Sequence, residues 1–285
     1  MKWIVRLERI SKVKKKYLLF VIIFAINFIL SPVNALAAKT SGTASVMRLE
    51  KTIGDVSVTA SSGSQSQIIE KMRLNSGDDV KSASKSYAYF NLDDAKAVKL
   101  DAQSEAVIKN NKNKYEVVLE SGNLLFDVEK ELKGNESFEI KTSNLTMGIR
   151  GTCAQVMVKD ENTVIIDLLE GILYCVLTDP VTGNSESITL VAGDHAIFST
   201  GPGYMNNCQI IIRKIVFTDL RGFALDYIYE DQALAQKIYE QSGIDLRYMT
   251  RKLVDDILEQ DENGKTIPVN EGRPSPTAQY YLNGH

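Results

Sequence analysis

Few side chains among these 285 residues could carry out chemistry. There are two histidines, His195 and His285, and three cysteines, Cys153, Cys175 and Cys208. His195 follows Gly193-Asp194, where a strand could present a metal ligand, but gripping a metal there takes several histidines and a carboxylate. His285 lies at the far terminus, so a strand-edge histidine is the expected reading. A serine nucleophile needs a basic partner and a group to orient that partner. No Gly-x-Ser-x-Gly or Ser-x-x-Lys element stands where a strand would turn into a helix. The pairs Asp78/Asp79 and Asp93/Asp94 lack the alternating oxygen ligands of a calcium loop and are expected in turns. The tyrosines at 87, 89, 227 and 229 could stack on a sugar, although packing explains them more simply. No catalytic set, metal site or cofactor is expected.

The segment Gly148-Ile149-Arg150-Gly151-Thr152 is the most unusual. It is expected to be buried, inside apolar β sequence. A guanidinium offers five donors in a rigid fork, able to tie carbonyls or a carboxylate at a strand crossing. Gly148 and Gly151 on either side would permit positive φ or close backbone approach. The expected role is structural, with an Asp or Glu as partner; an anion site is the alternative.

Alternating strands must position these residues. From about 46 to 200 the apolar residues recur with period two, as in Tyr115, Val117, Leu119 and in Leu124, Phe126, Val128. Val164 to Leu169 is more continuously apolar, the mark of a strand buried on both faces. Turn signals such as Ser121-Gly122-Asn123, Gly134-Asn135 and Thr182-Gly183-Asn184 punctuate the runs. Many short strands so separated predict a mainly β domain, a sandwich or wound architecture. Residues 201–217 read as a linker or edge strand. From 218 to 260 the period becomes helical: one stripe from Leu220 to Tyr239, either interrupted at Asp231 or divided there by a capping aspartate. Ser242-Gly243 ends it, and Asp245 is expected to cap a last helix. Residues 261–285 are polar with three prolines, and a disordered tail is expected.

The first 37 residues belong to a different class. Lys12, Lys14, Lys15 and Lys16 precede an apolar run from Tyr17 to Leu30, and Ala35-Leu36-Ala37 supplies the small residues of a cleavage site. This pattern predicts a signal peptide; an uncleaved anchor is the rival. Removing it takes away seven basic residues and one acid, leaving 26 basic against 35 acidic side chains, a formal −9. Such a surface repels phosphate backbones, so no nucleic-acid partner is expected. Membrane attachment would come only through an uncleaved leader. Outside the cell, the odd cysteine count leaves at least one thiol unpaired or shared between chains. Cys153 and Cys175 could bridge neighbouring strands, or all three could be small buried hydrophobes.

Several segments in order resemble the FecR-type domain. They are Leu74-Asn75-Ser76-Gly77-Asp78-Asp79-Val80, Ser86 to Asp94, Val98-Lys99-Leu100-Asp101, Leu119 to Leu124, Met147 to Thr152, Leu169-Glu170-Gly171-Ile172-Leu173 and Val191-Ala192-Gly193-Asp194. The resemblance implies an extracytoplasmic, all-β, non-catalytic domain. In the namesake group it senses a partner outside the inner membrane and passes the signal to a sigma factor. Only 16 residues precede the apolar run here, too few for a cytoplasmic anti-sigma module. The expectation is therefore an exported, envelope-associated binding module for a protein or cell-wall component. The alternative is a membrane-anchored transducer.

Overall fold

The structure is a computed structural model and describes residues 46–262 except 70, 131, 133 and 135. The expected signal peptide and nearly all of the expected tail lie outside the described residues. No described helix is long and apolar enough to cross a membrane.

Strands β1 (Arg48–Ile53) and β2 (Val56–Thr59) lead into two-residue strands β3 (Gln65–Ser66) and β4 (Met72–Arg73), then β5 (Asp78–Ser82). A hairpin of β6 (Tyr87–Asp93) and β7 (Lys96–Leu100) precedes β8 (Glu105–Asn111) and the long β9 (Lys114–Val128). Four hairpins complete the β body: β10 (Ser137–Lys141) with β11 (Leu145–Ile149), β12 (Cys153–Asp160) with β13 (Thr163–Glu170), β14 (Ile172–Thr178) with β15 (Ser185–Val191), and β16 (Asp194–Thr200) with β17 (Cys208–Lys214). They are laid down alternately in two sheets. One sheet runs β4-β1-β6-β7-β9-β12-β13-β16-β17. The other runs β3-β2-β5-β8-β9-β10-β11-β14-β15. All pairs are antiparallel except β9 with β10. The mainly β reading therefore stands, and the sandwich and wound descriptions both apply: two stacked sheets, wound by alternating hairpins.

Strand β9 belongs to both sheets. Its first half pairs with β8 and β10, its second with β7 and β12. The bend falls at Gly122, where φ is +80° and a Cβ would lie 2.2 Å from Ser104 Oγ and 2.7 Å from the Gln103 carbonyl. Only glycine passes there without displacing its neighbours. Ser121-Gly122-Asn123, expected as a turn between strands, is thus a kink within one strand.

The inner faces meet in a core that includes Val80, Ile108, Val117, Phe126, Phe138, Met147, Ile166 and Phe198. Phe126 and Phe138 touch edge to face across it, centroids 6.1 Å apart, the geometry favoured by the ring quadrupole. A second core lies on the outside of the first sheet, where Tyr87, Leu125, Cys153 and Leu169 meet three helices. The helices are α1 (Gly222–Glu230), α2 (Gln232–Ser242) and α3 (Arg251–Glu262). This is the covered sheet; the other is the open sheet. The apolar stripes of the helices exist to be buried against that surface. Asp231 divides the stripe, its side chain accepting from the N–H groups of Ala233 and Leu234 to start α2. The last helix begins at Arg251, later than expected, because Asp245 pairs with Arg247 and Thr250 Oγ1 accepts from the Leu253 N–H instead. Residues 208–214 are an edge strand of the covered sheet, so the β body extends to Lys214, past the expected boundary at 200.

The three cysteines are buried free thiols. Cys153 faces the helices from the covered sheet, whereas Cys175 faces the core from the open sheet. The proposed bridge between them is corrected accordingly: the two thiols point into different cores. Burial holds both thiols protonated, pushing Cys175 up to about 12 and Cys153 well above its ordinary value.

Candidate functional site

Register aligns the outward residues of the covered sheet into rows. One row crosses eight strands: Lys51, Tyr89, Lys99, Leu125, Gln155, Asp167, His195 and Arg213. Seven of the eight are polar or aromatic, and the helical layer turns much of this row into an interior. Buried polar groups need partners, and most of these find theirs in the segment after β17.

At one end of the row, His195 Nδ1 lies 2.7 Å from Asp167 Oδ1. The amide nitrogen of Gln155 donates to Asp167 Oδ2 at 2.9 Å and to the Asp219 carbonyl at 3.1 Å. Its oxygen accepts from the Arg221 N–H at 3.0 Å. Asp219 closes the short 3-10 turn Phe217–Asp219, accepts from the Val216 N–H, and takes the Arg213 fork on both oxygens at 2.6 Å. Burial raises the Asp167 carboxyl, opposed by its histidine partner. Asp219 is held below the ordinary range: desolvation opposes this, but Arg213 and the Val216 N–H outweigh it.

Further along, Lys99 Nζ donates to Asp226 of α1 at 2.6 Å, and Asp226 also accepts from Tyr89 and from Arg251 of α3. Desolvation lowers the Lys99 pKa, partly offset by Asp226. In a neighbouring row Asp127, Cys153 and Glu170 stand side by side on β9, β12 and β13. Asp127 accepts from the Tyr227 hydroxyl at 3.2 Å, and Glu170 from Gln241 at 3.3 Å. One oxygen of each carboxylate is buried without a hydrogen bond among the described residues. Burial, reinforced by the Glu170 charge, pushes Asp127 up to about 6.

Chemically, the histidine–aspartate pair resembles the base half of a hydrolytic triad. The Gln155 amide is hydrogen-bonded to it, and the Asp219 carboxylate, 3.8 Å from His195 Nδ1 and held by the Arg213 guanidinium, stands beside it; none of these groups is a nucleophile. Asp167, His195 and Asp219 also bring ligand atoms within 4.8 Å of one another. A cation there would have to displace the Arg213 fork from Asp219. The cluster is therefore built as an ion-pair and hydrogen-bond network fixing the helical layer to the sheet. His195, expected at a strand edge, is buried in that network.

The motif at 148–152 lies where the chain crosses from the open to the covered sheet. Arg150 is exposed there, contrary to the expected burial. The crossing is shaped by its neighbours: Gly151 adopts φ +65° and buried Thr152 donates from Oγ1 to the Ile172 carbonyl at 3.1 Å. Against them, at φ +88°, Gly171 approaches so closely that a Cβ would fall 2.3 Å from the Gly151 carbonyl. Gly148 sits in extended β11 opposite Tyr174, with room for a Cβ. Tyr87 and Tyr89 are packed beneath the helices, their hydroxyls given to Glu262 and Asp226.

Sequence reasoning missed Lys99, Asp127, Gln155, Asp167 and Asp219. A signal existed for Asp167: an acid inside Val164–Leu169, a run read as buried on both faces, has to meet a buried partner.

Comparison with known families matches residues 78–173 to the family described as FecR protein. A search of curated proteins found no match. Among solved structures, two crystal structures of a "putative anti-sigma factor" from Parabacteroides distasonis are similar at 12% identity and a TM-score of 0.42, covering 57% of this chain and 74% of that one. The matched residues hold the bent strand, the crossing motif, and Lys99, Asp127, Gln155 and Asp167, while His195, Asp219 and the helices lie beyond them. The match to the FecR protein family thus covers about a third of the chain, and later strands and a helical layer lie beyond it.

Proposed function

We propose that this chain is an exported, non-catalytic binding module that recognises a protein or cell-envelope component through the outer face of its open sheet. The observation carrying this reading is the contrast in what the two outer faces do with their polar groups. Those of the covered sheet are tied to the helices. Those of the open sheet face solvent in an ordered display: Lys109, Glu116, Lys141 and Glu139 form a ladder of ion pairs, and Ile172, Tyr174 and Val191 form an apolar patch beside it. Tyr174 is about half exposed, at 51%, and stands opposite Gly148, which leaves its ring accessible from the flank. An aromatic anchor with a charged surround is the composition of a recognition surface.

Purified protein immobilised and exposed to envelope extract tests this. The wild type is expected to retain a discrete protein or glycan, and Tyr174→Ser to lose it while melting at the same temperature. Equal retention by the variant, or turnover of a compound by the purified protein, would overturn the reading. The FecR domain also supports a second reading, a regulator held in the membrane by an uncleaved Tyr17–Leu30 run and acting on a sigma factor. Fractionation separates the two: mature protein starting near Ala38 in the soluble fraction excludes the anchored form.

A further inference from the structure

The two ends of the sandwich are finished differently. At one end both sheets stop in two-residue strands, β3 and β4, too short to template pairing with another chain. At the other end the sheets stop in seven-residue strands, β15 and β17. Short edge strands, prolines, bulges and central charges are the usual means of blunting an edge. Strand β17 has none of these across its centre. It reads Cys208-Gln209-Ile210-Ile211-Ile212-Arg213-Lys214, pairs among the described residues only with β16, in unbroken register, and leaves Ile211 and Ile212 47% and 40% exposed.

We propose that β17 is a self-pairing edge through which a second copy of this chain extends the covered sheet about a two-fold axis. The strand's own sequence selects the occupant. Antiparallel pairing centred on Ile211 sets Ile211 against Ile211, Ile210 against Ile212, Gln209 against Arg213 and Cys208 against Lys214. Every isoleucine meets an isoleucine, and each cation meets an uncharged residue, Arg213 a glutamine and Lys214 a cysteine. A parallel copy would stack Arg213 on Arg213. Moving the centre by one residue sets Ile211 against Gln209 or Arg213. An odd register would place the core-facing side of one copy against the helix side of the other. The two cations are already committed within each copy, Arg213 to Asp219 and Lys214 to Asp194, which keeps them at the margins. Ile210 packs against the inter-sheet core, so a partner's Ile212 beside it would carry that core across the interface. Such a two-fold contact is isologous and closes on itself.

Sedimentation velocity of the whole chain over the micromolar range is expected to show a monomer–dimer equilibrium. Ile211→Lys, which sets two like charges in direct opposition, should weaken it about tenfold or more with an unchanged melting temperature. Ile211→Cys should form an intermolecular disulfide under mild oxidation, because this residue faces itself. Ile69→Cys, exposed at the opposite end, should not. A wild type that sediments as single chains throughout, an Ile211→Lys protein that dimerises as well as wild type, or equal crosslinking at positions 69 and 211 would each overturn the proposal.

Discussion

The same residue types appear on both outer faces of the sandwich, and their surroundings make them different objects. On the covered sheet, Lys99 is 1% exposed and meets Asp226 at 2.6 Å; on the open sheet, Lys81 is 61% exposed and meets Glu105 at 2.7 Å. The distances are nearly equal. What differs is the solvent: water screens the second pair and supplies its alternative partners, while the first has given up hydration and has only protein to replace it. A face whose charges are already desolvated and paired is a joint between layers; one whose charges remain hydrated is free to engage something else.

The largest test of that contrast is Lys99→Ala. It removes the cation from beneath α1 and leaves Asp226 to the half-exposed Arg251 and the Tyr89 hydroxyl. Loss of one partner from a buried pair costs about 3 kcal/mol or more, read as a lower urea midpoint. A change below about 1 kcal/mol would mean that water reaches Asp226 and that the covered face is less dry than the packing implies.

Gln155→Leu comes next. The amide ties β12 to Asp167, to the Asp219 carbonyl and to the Arg221 N–H at the end of the turn after β17, so an apolar side chain leaves the Arg221 N–H and an Asp167 oxygen without this partner. Buried orphans of this kind cost about 2 kcal/mol. Hydrogen exchange should show the loss as faster opening in 217–225, with the open sheet unaffected.

These two residues also show where the sequence was legible. Strand periodicity, the change to helical period near 218 and the Gly243 stop depend on local pattern, and each appears in the structure. Lys99 and Gln155 also sit in outward-facing positions of alternating strands, where a solvated face is the ordinary inference. The covering that buries them comes from helices more than sixty residues downstream, so no local pattern signals it. Arg150 fails in the opposite direction: its unusual composition suggested burial, yet the crossing needs the backbone freedom of Gly151 and Gly171 and leaves the guanidinium outside. Ser121-Gly122-Asn123 carried a true signal for left-handed backbone, but whether such a residue ends a strand or bends one depends on where the second sheet lies.

A third test uses pH. Asp127 is raised to about 6 in the folded chain by burial and by Glu170, against about 3.9 when unfolded. A carboxyl raised on folding holds its proton more tightly in the native state. Its favourable contribution is fully present below about pH 4 and lost as pH rises through about 6. Two units correspond to at most about 3 kcal/mol; with some hydration retained, about 1.5 kcal/mol is expected. Asp127→Asn should therefore stabilise the protein at pH 7.5, have little effect at pH 4, and flatten the profile between. A wild type no less stable at pH 7.5 than Asp127→Asn would show the acid to be hydrated, and the covered face would again lose its distinction.

The smallest effect belongs to the open sheet. Lys81→Ala breaks the ion pair with Glu105, which joins β5 and β8 across the exposed face. Exposed pairs of this geometry contribute about 0.5 kcal/mol, and less as salt screens them. The neighbouring Asp79 sharpens the point: its carboxyl is raised by burial and by Glu105, and Lys81 opposes that rise. Removing the lysine should move Asp79 further upward, by an amount that shrinks in high salt, while the urea midpoint barely moves. NMR titration of the Asp79 carboxyl in both proteins reads the first, and denaturation the second. Because Lys99 and Lys81 hold their partners at almost the same distance, a large stability loss at Lys81 would mean that pair geometry, and not desolvation, separates the two faces.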